Sequence, residues 1–105
     1  MISISVCMIV KDEEEVLARC LNSLAGIADE IIIVDTGSGD ATKQIAAAYT
    51  ERIYDFAWVD DFSAARNYSF SKATMEYIYV ADADEVIEEG ERQKFLKLKR
   101  ELDRR

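Results

Sequence analysis

The sequence predicts an α/β fold, a parallel sheet of about four strands with helices flanking it. Three observations predict it. Short apolar runs rich in β-branched residues alternate with segments of helical spacing, in the order β-α-β-α-β-α-β-α. Such alternation implies a parallel sheet joined by right-handed crossovers. Residues 2–10 (ISISVCMIV) and 31–34 (IIIV) are near-continuously apolar, as strands covered on both faces are.

Residues 2–10 read as the first strand. Lys11, Asp12, Glu13, Glu14 and Glu15 then open a helix. Asp12 caps it, Glu15 three residues on completes a capping-box pattern, and the acidic first turn suits the helix dipole. Leu17, Cys20, Leu21 and Leu24 form its apolar stripe, and Gly26 stops it. The second strand is 31–34, followed by an alanine-rich helix over 42–49 and a shorter strand over 52–56. Ser63 caps a helix running to about Lys72. Residues 75–80 (MEYIYV), β-branched and aromatic, read as a buried fourth strand. A charged terminal helix covers 88–102, with Phe95, Leu98 and Leu102 on one side and a solvated face along 91–105. No repeat, low-complexity tract or linker interrupts the chain, so 1–105 reads as one domain.

Composition narrows the function classes. The chain has 105 residues, 50% of them hydrophobic, enough for one core and against disorder. Its net charge of -8, from 13 basic and 21 acidic residues, argues against a nucleic-acid or anionic-membrane footprint. A small anionic ligand remains compatible, because a bound metal inverts the local field. With no histidine, a His-dependent triad is impossible within this chain. Cys7 and Cys20 read as buried, reduced thiols of a cytoplasmic protein, and so few soft ligands argue against zinc. No basic region precedes the first apolar run, so no signal peptide is expected, and no apolar stretch approaches the ~20 residues of a membrane span.

Three strand ends carry polar clusters: Lys11 to Glu13, Asp35 to Ser38, and Asp82 to Glu85. In open α/β sheets, ligands bind outside the carboxyl ends of the strands. If strands one, two and four are neighbours, the clusters converge on one edge. Asp82 and Asp84 repel one another unless a cation lies between them, and hard oxygen ligands suit Mg²⁺ or Mn²⁺ with a phosphate as co-ligand. The same residues also read as an acidic turn capping the last helix. Asp35-Thr36-Gly37-Ser38-Gly39-Asp40 lets a ligand approach closely through its glycines, or is an ordinary turn capped by Ser38 or Asp40. It is neither a dinucleotide fingerprint nor a P-loop. Arg66 reaches a phosphate or a base edge with its planar fork, or pairs with Asp60 or Asp61 at the surface.

Four motifs, in order over about residues 2–87, carry a resemblance. They are Ser5-Val6-Cys7-Met8-Ile9-Val10-Lys11-Asp12-Glu13-Glu14, then Ile32-Ile33-Val34-Asp35-Thr36-Gly37-Ser38-Gly39-Asp40-Ala41-Thr42, then Phe62-Ser63-Ala64-Ala65-Arg66-Asn67, and Asp82-Ala83-Asp84-Glu85. With them the chain resembles the N-terminal half of family 2 glycosyltransferases of bacterial type, some of which carry helical repeats further along. The resemblance implies the GT-A fold, a three-layer Rossmann-like sheet with strand order 3-2-1-4. It implies inverting transfer of a sugar from a nucleoside diphosphate donor, UDP-linked, to an acceptor hydroxyl. Asp82-Ala83-Asp84 matches the D-x-D motif: Asp84 would hold Mn²⁺ or Mg²⁺ against the diphosphate, and Asp82 would contact the ribose or the metal shell. Asp35 matches the acid that accepts the N3–H of uracil. Val10 and Glu13 match the wall of the base pocket, Gly37 the turn beside it, and Arg66 an arginine near base and phosphates.

The family domain runs well beyond 105 residues, and its second half carries the acceptor contacts and the catalytic base. The chain is therefore expected to supply donor and metal sites, to lack efficient transfer by itself, and to have no identifiable base. The surface that a second half would cover is expected to be exposed or to serve self-association. A nucleotidyltransferase-like enzyme is disfavoured by the acidic segment after strand one. A receiver-like Mg²⁺ module is disfavoured by the absence of a fifth strand. A non-catalytic nucleotide- and metal-binding fragment remains the other reading.

Overall fold

The computed structural model of the chain describes residues 3–24, 26–57, 61–84, 86 and 88–103, without the side chains of 102 and 103. Expectations placed on Ile2, Asp60, Glu85 and the Leu102 side chain lie outside the described residues.

Four strands alternate with four helices: β1 (Ile4–Val10), α1 (Leu17–Ser23), β2 (Glu30–Asp35), α2 (Thr42–Ala47), β3 (Ile53–Asp55), α3 (Phe62–Lys72), β4 (Tyr77–Val80) and α4 (Glu89–Asp103). The sheet has the order β3-β2-β1-β4, and every pairing is parallel. That is the expected architecture and strand order. The apolar runs of β1 and β2 follow from their central position, because alternate side chains feed two cores. Val6, Met8, Val10 and Ile33 join Leu17, Cys20 and Leu21 of α1, its C-cap Leu24 and Ala46 of α2, all at most 1% exposed. On the other face Cys7, Ile32 and Val34 pack with Tyr54, Tyr68 and Phe70. Cys7 and Cys20 are both buried, in different cores, and neither is in a disulfide among the described residues.

The amino ends of the strands are fastened by paired charges. Glu30 accepts hydrogen bonds from Ser5 Oγ (2.8 Å), Thr74 N (2.9 Å) and Thr74 Oγ1 (2.7 Å), and pairs with Arg52 at 3.0 Å. One carboxylate thus ties β1, β2, the start of β3 and the approach to β4. Asp29 accepts from Ile4 N and from the buried Lys99 of α4, each at 2.8 Å, while Lys99 also donates to the Ile27 carbonyl. Burial raises the Glu30 carboxyl, but the Thr74 and Ser5 hydrogen bonds and the Arg52 charge outweigh it, holding it below its ordinary 4.5. Asp29 is likewise pushed up by burial and brought below 3.8 by Lys99 and the Ile4 N–H.

The structure corrects several boundaries. No helix opens at Asp12. That residue has φ of +52°, a left-handed conformation, and α1 starts only at Leu17 with no side-chain cap. The five-residue charged stretch is a loop whose polar groups bond a neighbouring loop instead of capping a helix. Gly26 does end the α1 region, with φ of +84°; a Cβ there would meet Arg92 Nη2 at 2.6 Å. α3 is capped by Asp61, which accepts from Ser63 N and Ala64 N, and Ser63 lies inside the helix. The fourth strand is shorter than MEYIYV and is not buried: Tyr77, Ile78 and Val80 are 46%, 44% and 37% exposed. β4 is an edge strand, and α3 packs over β1 and β2. Among the described residues no helix is long and apolar enough to cross a membrane.

Because both acids are held below their ordinary values, their stabilisation is present above about pH 4.5 and is lost as pH falls through the lowered values. Glu30→Ala should lower stability near neutral pH by about 2–3 kcal/mol, the scale of a partly buried ion pair with its hydrogen bonds. Urea unfolding reads this as a lower midpoint, and the gap to wild type should narrow in acid.

Candidate functional site

The register places Val10 opposite Asp35 and Asp35 opposite Asp55, so the carboxyl ends of β1, β2 and β3 finish level. Asp35 is 3% exposed. Its Oδ1 accepts from Gly37 N and Ser38 N, both at 2.8 Å, folding the chain back over the strand end. Gly37 takes φ of +117° there, which disfavours any side chain. The other oxygen, Oδ2, is buried and has no hydrogen-bond partner among the described residues. Burial raises the Asp35 carboxyl, but the Ser38 and Gly37 bonds and the Lys43 charge bring it below 3.8, so it is ionised at neutral pH. A buried carboxylate oxygen left without a donor is costly, and a ligand N–H would satisfy it.

The loop after β1 is stitched to the loop after β2. Asp12 N donates to Ser38 Oγ (2.9 Å), and Gly39 N donates to Asp12 Oδ1 (2.8 Å). Glu13 N donates to Thr42 Oγ1 (2.8 Å), and Ala41 N to Glu14 Oε2 (3.0 Å). Asp40 accepts from Thr42 N and forms a very short contact with Thr42 Oγ1, an Asx-type turn ahead of α2, whose N-cap Ala41 makes no side-chain capping bond. Thr36 N and Oγ1 both donate to the Val10 carbonyl, at 3.0 and 3.3 Å. These bonds hold Val10 and Glu13 as one wall of a cleft of about 250 Å³, completed by Ile9, Lys11, Thr36 and Phe62. A second cleft of about 380 Å³ shares Thr36 and is lined by Asp35, Gly37, Ser38, Lys43, Asp55 and Phe56 among others.

Across β1, the chain leaving β4 alternates in burial. Ala81 and Ala83 are 2% and 4% exposed and belong to the core around α1, whereas Asp82 and Asp84 are exposed. The alanines anchor the segment and the carboxylates face outward. Ala81 N donates to the Cys7 carbonyl, and Cys20 Sγ lies 3.5 Å from the Asp82 carbonyl. Glu13 registers the field of this edge. Burial raises its carboxyl, and the charges of Asp84, Asp40, Asp12 and Asp82 raise it further. α4 begins at Glu89, with Glu89 and Glu91 as the acids of its first turn.

Among the described residues no three metal-binding side chains form a ready cage. One or two exposed carboxylates suit Mg²⁺ or Mn²⁺, which take further oxygens from phosphate and water. Asp84 and Asp82 therefore fit the role of metal ligands, and a cation there would relieve the repulsion felt by Glu13. Arg66 Cζ stands 4.9 Å from the centroid of the cleft-lining Phe62 ring, while Asp61 is engaged as the α3 cap. Of the expected residues, Val10, Glu13, Asp35 and Gly37 come together at the two clefts. Arg66 joins them through Phe62. Asp82, Ala83 and Asp84 lie on the β4 side. Thr36, Thr42, Phe62 and Lys43 are additions. The first three sit within the matched motifs, whereas Lys43 has no signal in the sequence.

A family model described as Glycosyl transferase family 2 matches residues 5–104. A protein of Synechococcus elongatus named as TPR repeat-containing is 49% identical over 85 residues, covering 81% of this chain and 21% of that protein. The SPbeta prophage-derived glycosyltransferase SunS of Bacillus subtilis is 36% identical over 99 residues, covering 91% of this chain and 23% of the relative. The chain thus spans less than a quarter of the length of either relative. Among solved structures, glucosyl-3-phosphoglycerate synthase of Mycobacterium tuberculosis, in complex with Mg²⁺ and UDP, shares the fold. Its TM-score is 0.68 at 23% identity, over 81% of this chain and 34% of that one.

Glu13 has a raised value in the folded state, so its contribution to stability is lost as pH rises through that value, above 4.5. Glu13→Gln should therefore raise the thermal midpoint of the unliganded protein at about pH 7.5 and leave it nearly unchanged at about pH 4. Scanning calorimetry at the two pH values checks this.

Proposed function

The chain belongs to glycosyl transferase family 2, and from that premise we propose that it supplies the donor and metal sites of an inverting glycosyltransferase using a UDP-linked sugar. The observation that carries the reading is the buried, ionised Asp35 beside a cleft, with one oxygen that has no hydrogen-bond partner among the described residues. Uracil presents an N3–H that would satisfy this oxygen, which is enclosed without ligand, so docking requires a small shift of the Asp35 side chain or of the turn over it. Val10 and Glu13 wall the base, the Gly37 turn allows its close approach, and Arg66 on Phe62 borders the mouth. Asp84 would hold Mg²⁺ or Mn²⁺, and Asp82 would contact the metal shell or the ribose. When bound, the metal neutralises charge developing on the diphosphate leaving group. The chain's own part is to orient the nucleotide between the β2 and β4 ends. No residue is assigned as the base that deprotonates the acceptor.

Glucosyl-3-phosphoglycerate synthase is also solved with Mn²⁺ and UDP-glucose, which supports this donor class for the shared fold. Two buried cysteines outside any disulfide suit a reducing compartment, and a cytoplasmic location belongs to the same proposal.

Isothermal titration with UDP checks the assignment. Asp35→Asn, which keeps the acceptor used by Gly37 and Ser38, should weaken UDP about 10- to 100-fold, the cost of a charge-assisted hydrogen bond. Asp84→Asn should make UDP affinity insensitive to Mn²⁺. Unchanged UDP affinity in both variants would contradict the reading.

A further inference from the structure

We infer that Lys43 is a specificity-determining residue, its ammonium donating to the 4-carbonyl of the donor's pyrimidine so that the site selects uracil over cytosine. This rests on the proposed nucleotide site and adds to it a second contact on the base. Lys43 and Asp35 line the same cleft, with Gly37, Ser38, Asp55 and Phe56. Asp35 offers an acceptor through Oδ2. Lys43 offers a donor, for an ammonium has three N–H groups and no acceptor. An acceptor beside a donor is the complement of an imide edge, an N–H next to a C=O. Cytosine presents the inverse, a ring nitrogen lone pair next to an amine. It would set a lone pair against the Asp35 carboxylate and an N–H against the ammonium, and unpaired buried polar groups are what reject a near-isosteric ligand.

Sheet order says which carbonyl is meant. Lys43 and its partner Asp55 lie on the β3 side of Asp35, whereas Asp82 and Asp84 lie beyond β1 on the β4 side. A diphosphate directed at Asp84 turns the ribose-bearing N1 toward β4. The 4-carbonyl, opposite N1 on the ring, then points toward β3 and Lys43. The side chain is available for this. Its ion pair with Asp55, at 2.8 Å, is exposed on both partners (45% and 73%), and such pairs hold weakly. Its backbone is well placed, because the preceding Thr42 is fully buried and bonded to Glu13 N and Asp40.

Titration of UDP and CDP in excess Mn²⁺, on wild type and variants, decides the matter. Wild type should prefer UDP. Lys43→Met should cut the UDP-to-CDP preference about tenfold, mainly by weakening UDP, the scale of one hydrogen bond to a charged group. Lys43→Arg, which keeps a donor, and Asp55→Ala, which frees the lysine, should retain the preference. A wild-type ratio in Lys43→Met, with UDP binding still lost in Asp35→Asn, overturns the role of Lys43 and leaves the base site standing. Loss of the preference in Asp55→Ala equal to that in Lys43→Met overturns it too, for the lysine would then act only through its ion pair. UDP binding that is absent in wild type, or untouched by Asp35→Asn, overturns the site and the inference together.

Discussion

Parallel pairing of β1 with β2 on one side and β4 on the other brings the ends of these three strands, at Val10, Asp35 and Val80, onto one edge of the sheet. Backbone hydrogen bonds fix that register, and the two cores fix it again, because a one-residue slip of β1 would turn Val6, Met8 and Val10 away from α1. The loops leaving this edge have little freedom as a result. Thr36 clamps the Val10 carbonyl, Ser38 and Gly39 clamp Asp12, and Thr42 clamps Glu13. The cleft walls are parts of the scaffold rather than mobile additions to it.

The two ends of the sheet handle negative charge differently. At the amino end Glu30 meets Arg52 and Asp29 meets Lys99, and both acids lie below their ordinary values. At the carboxyl end the acids act on one another: Asp12, Asp40, Asp82 and Asp84 all raise Glu13. The first arrangement stabilises the fold. The second costs stability and suits a site that is completed by a cation and a phosphate-bearing ligand. Asp35 belongs to neither group. It is kept ionised by backbone N–H groups, and it keeps one oxygen for a further donor.

The strand and helix order was legible in the sequence because buried parallel strands and α1's apolar stripe leave strong patterns at Ile4–Val10, Glu30–Asp35 and Leu17–Ser23. What failed was local. Asp12-Glu13-Glu14-Glu15 satisfies the capping-box pattern, yet those polar groups found better partners in a loop distant in sequence. Tyr77–Val80 has the composition of a core strand, but its edge position is a property of topology that composition does not carry. The placement of most candidate residues was readable because the polar residues follow strand ends. Lys43 was not, since nothing within α2 marks a lysine whose neighbours, Asp35 and Asp55, come from two other elements.

On this reading the β2 end and the β4 end form a single nucleotide–metal site. Amide NMR spectra with Mn²⁺, whose unpaired electrons broaden nearby signals, test it most directly. With UDP present, a single site gives shifts at Gly37 and Ser38 together with Mn²⁺ broadening centred on Asp82, Ala83, Asp84 and Glu13. Broadening centred elsewhere, or unmoved Gly37 and Ser38 signals at millimolar UDP, would contradict it.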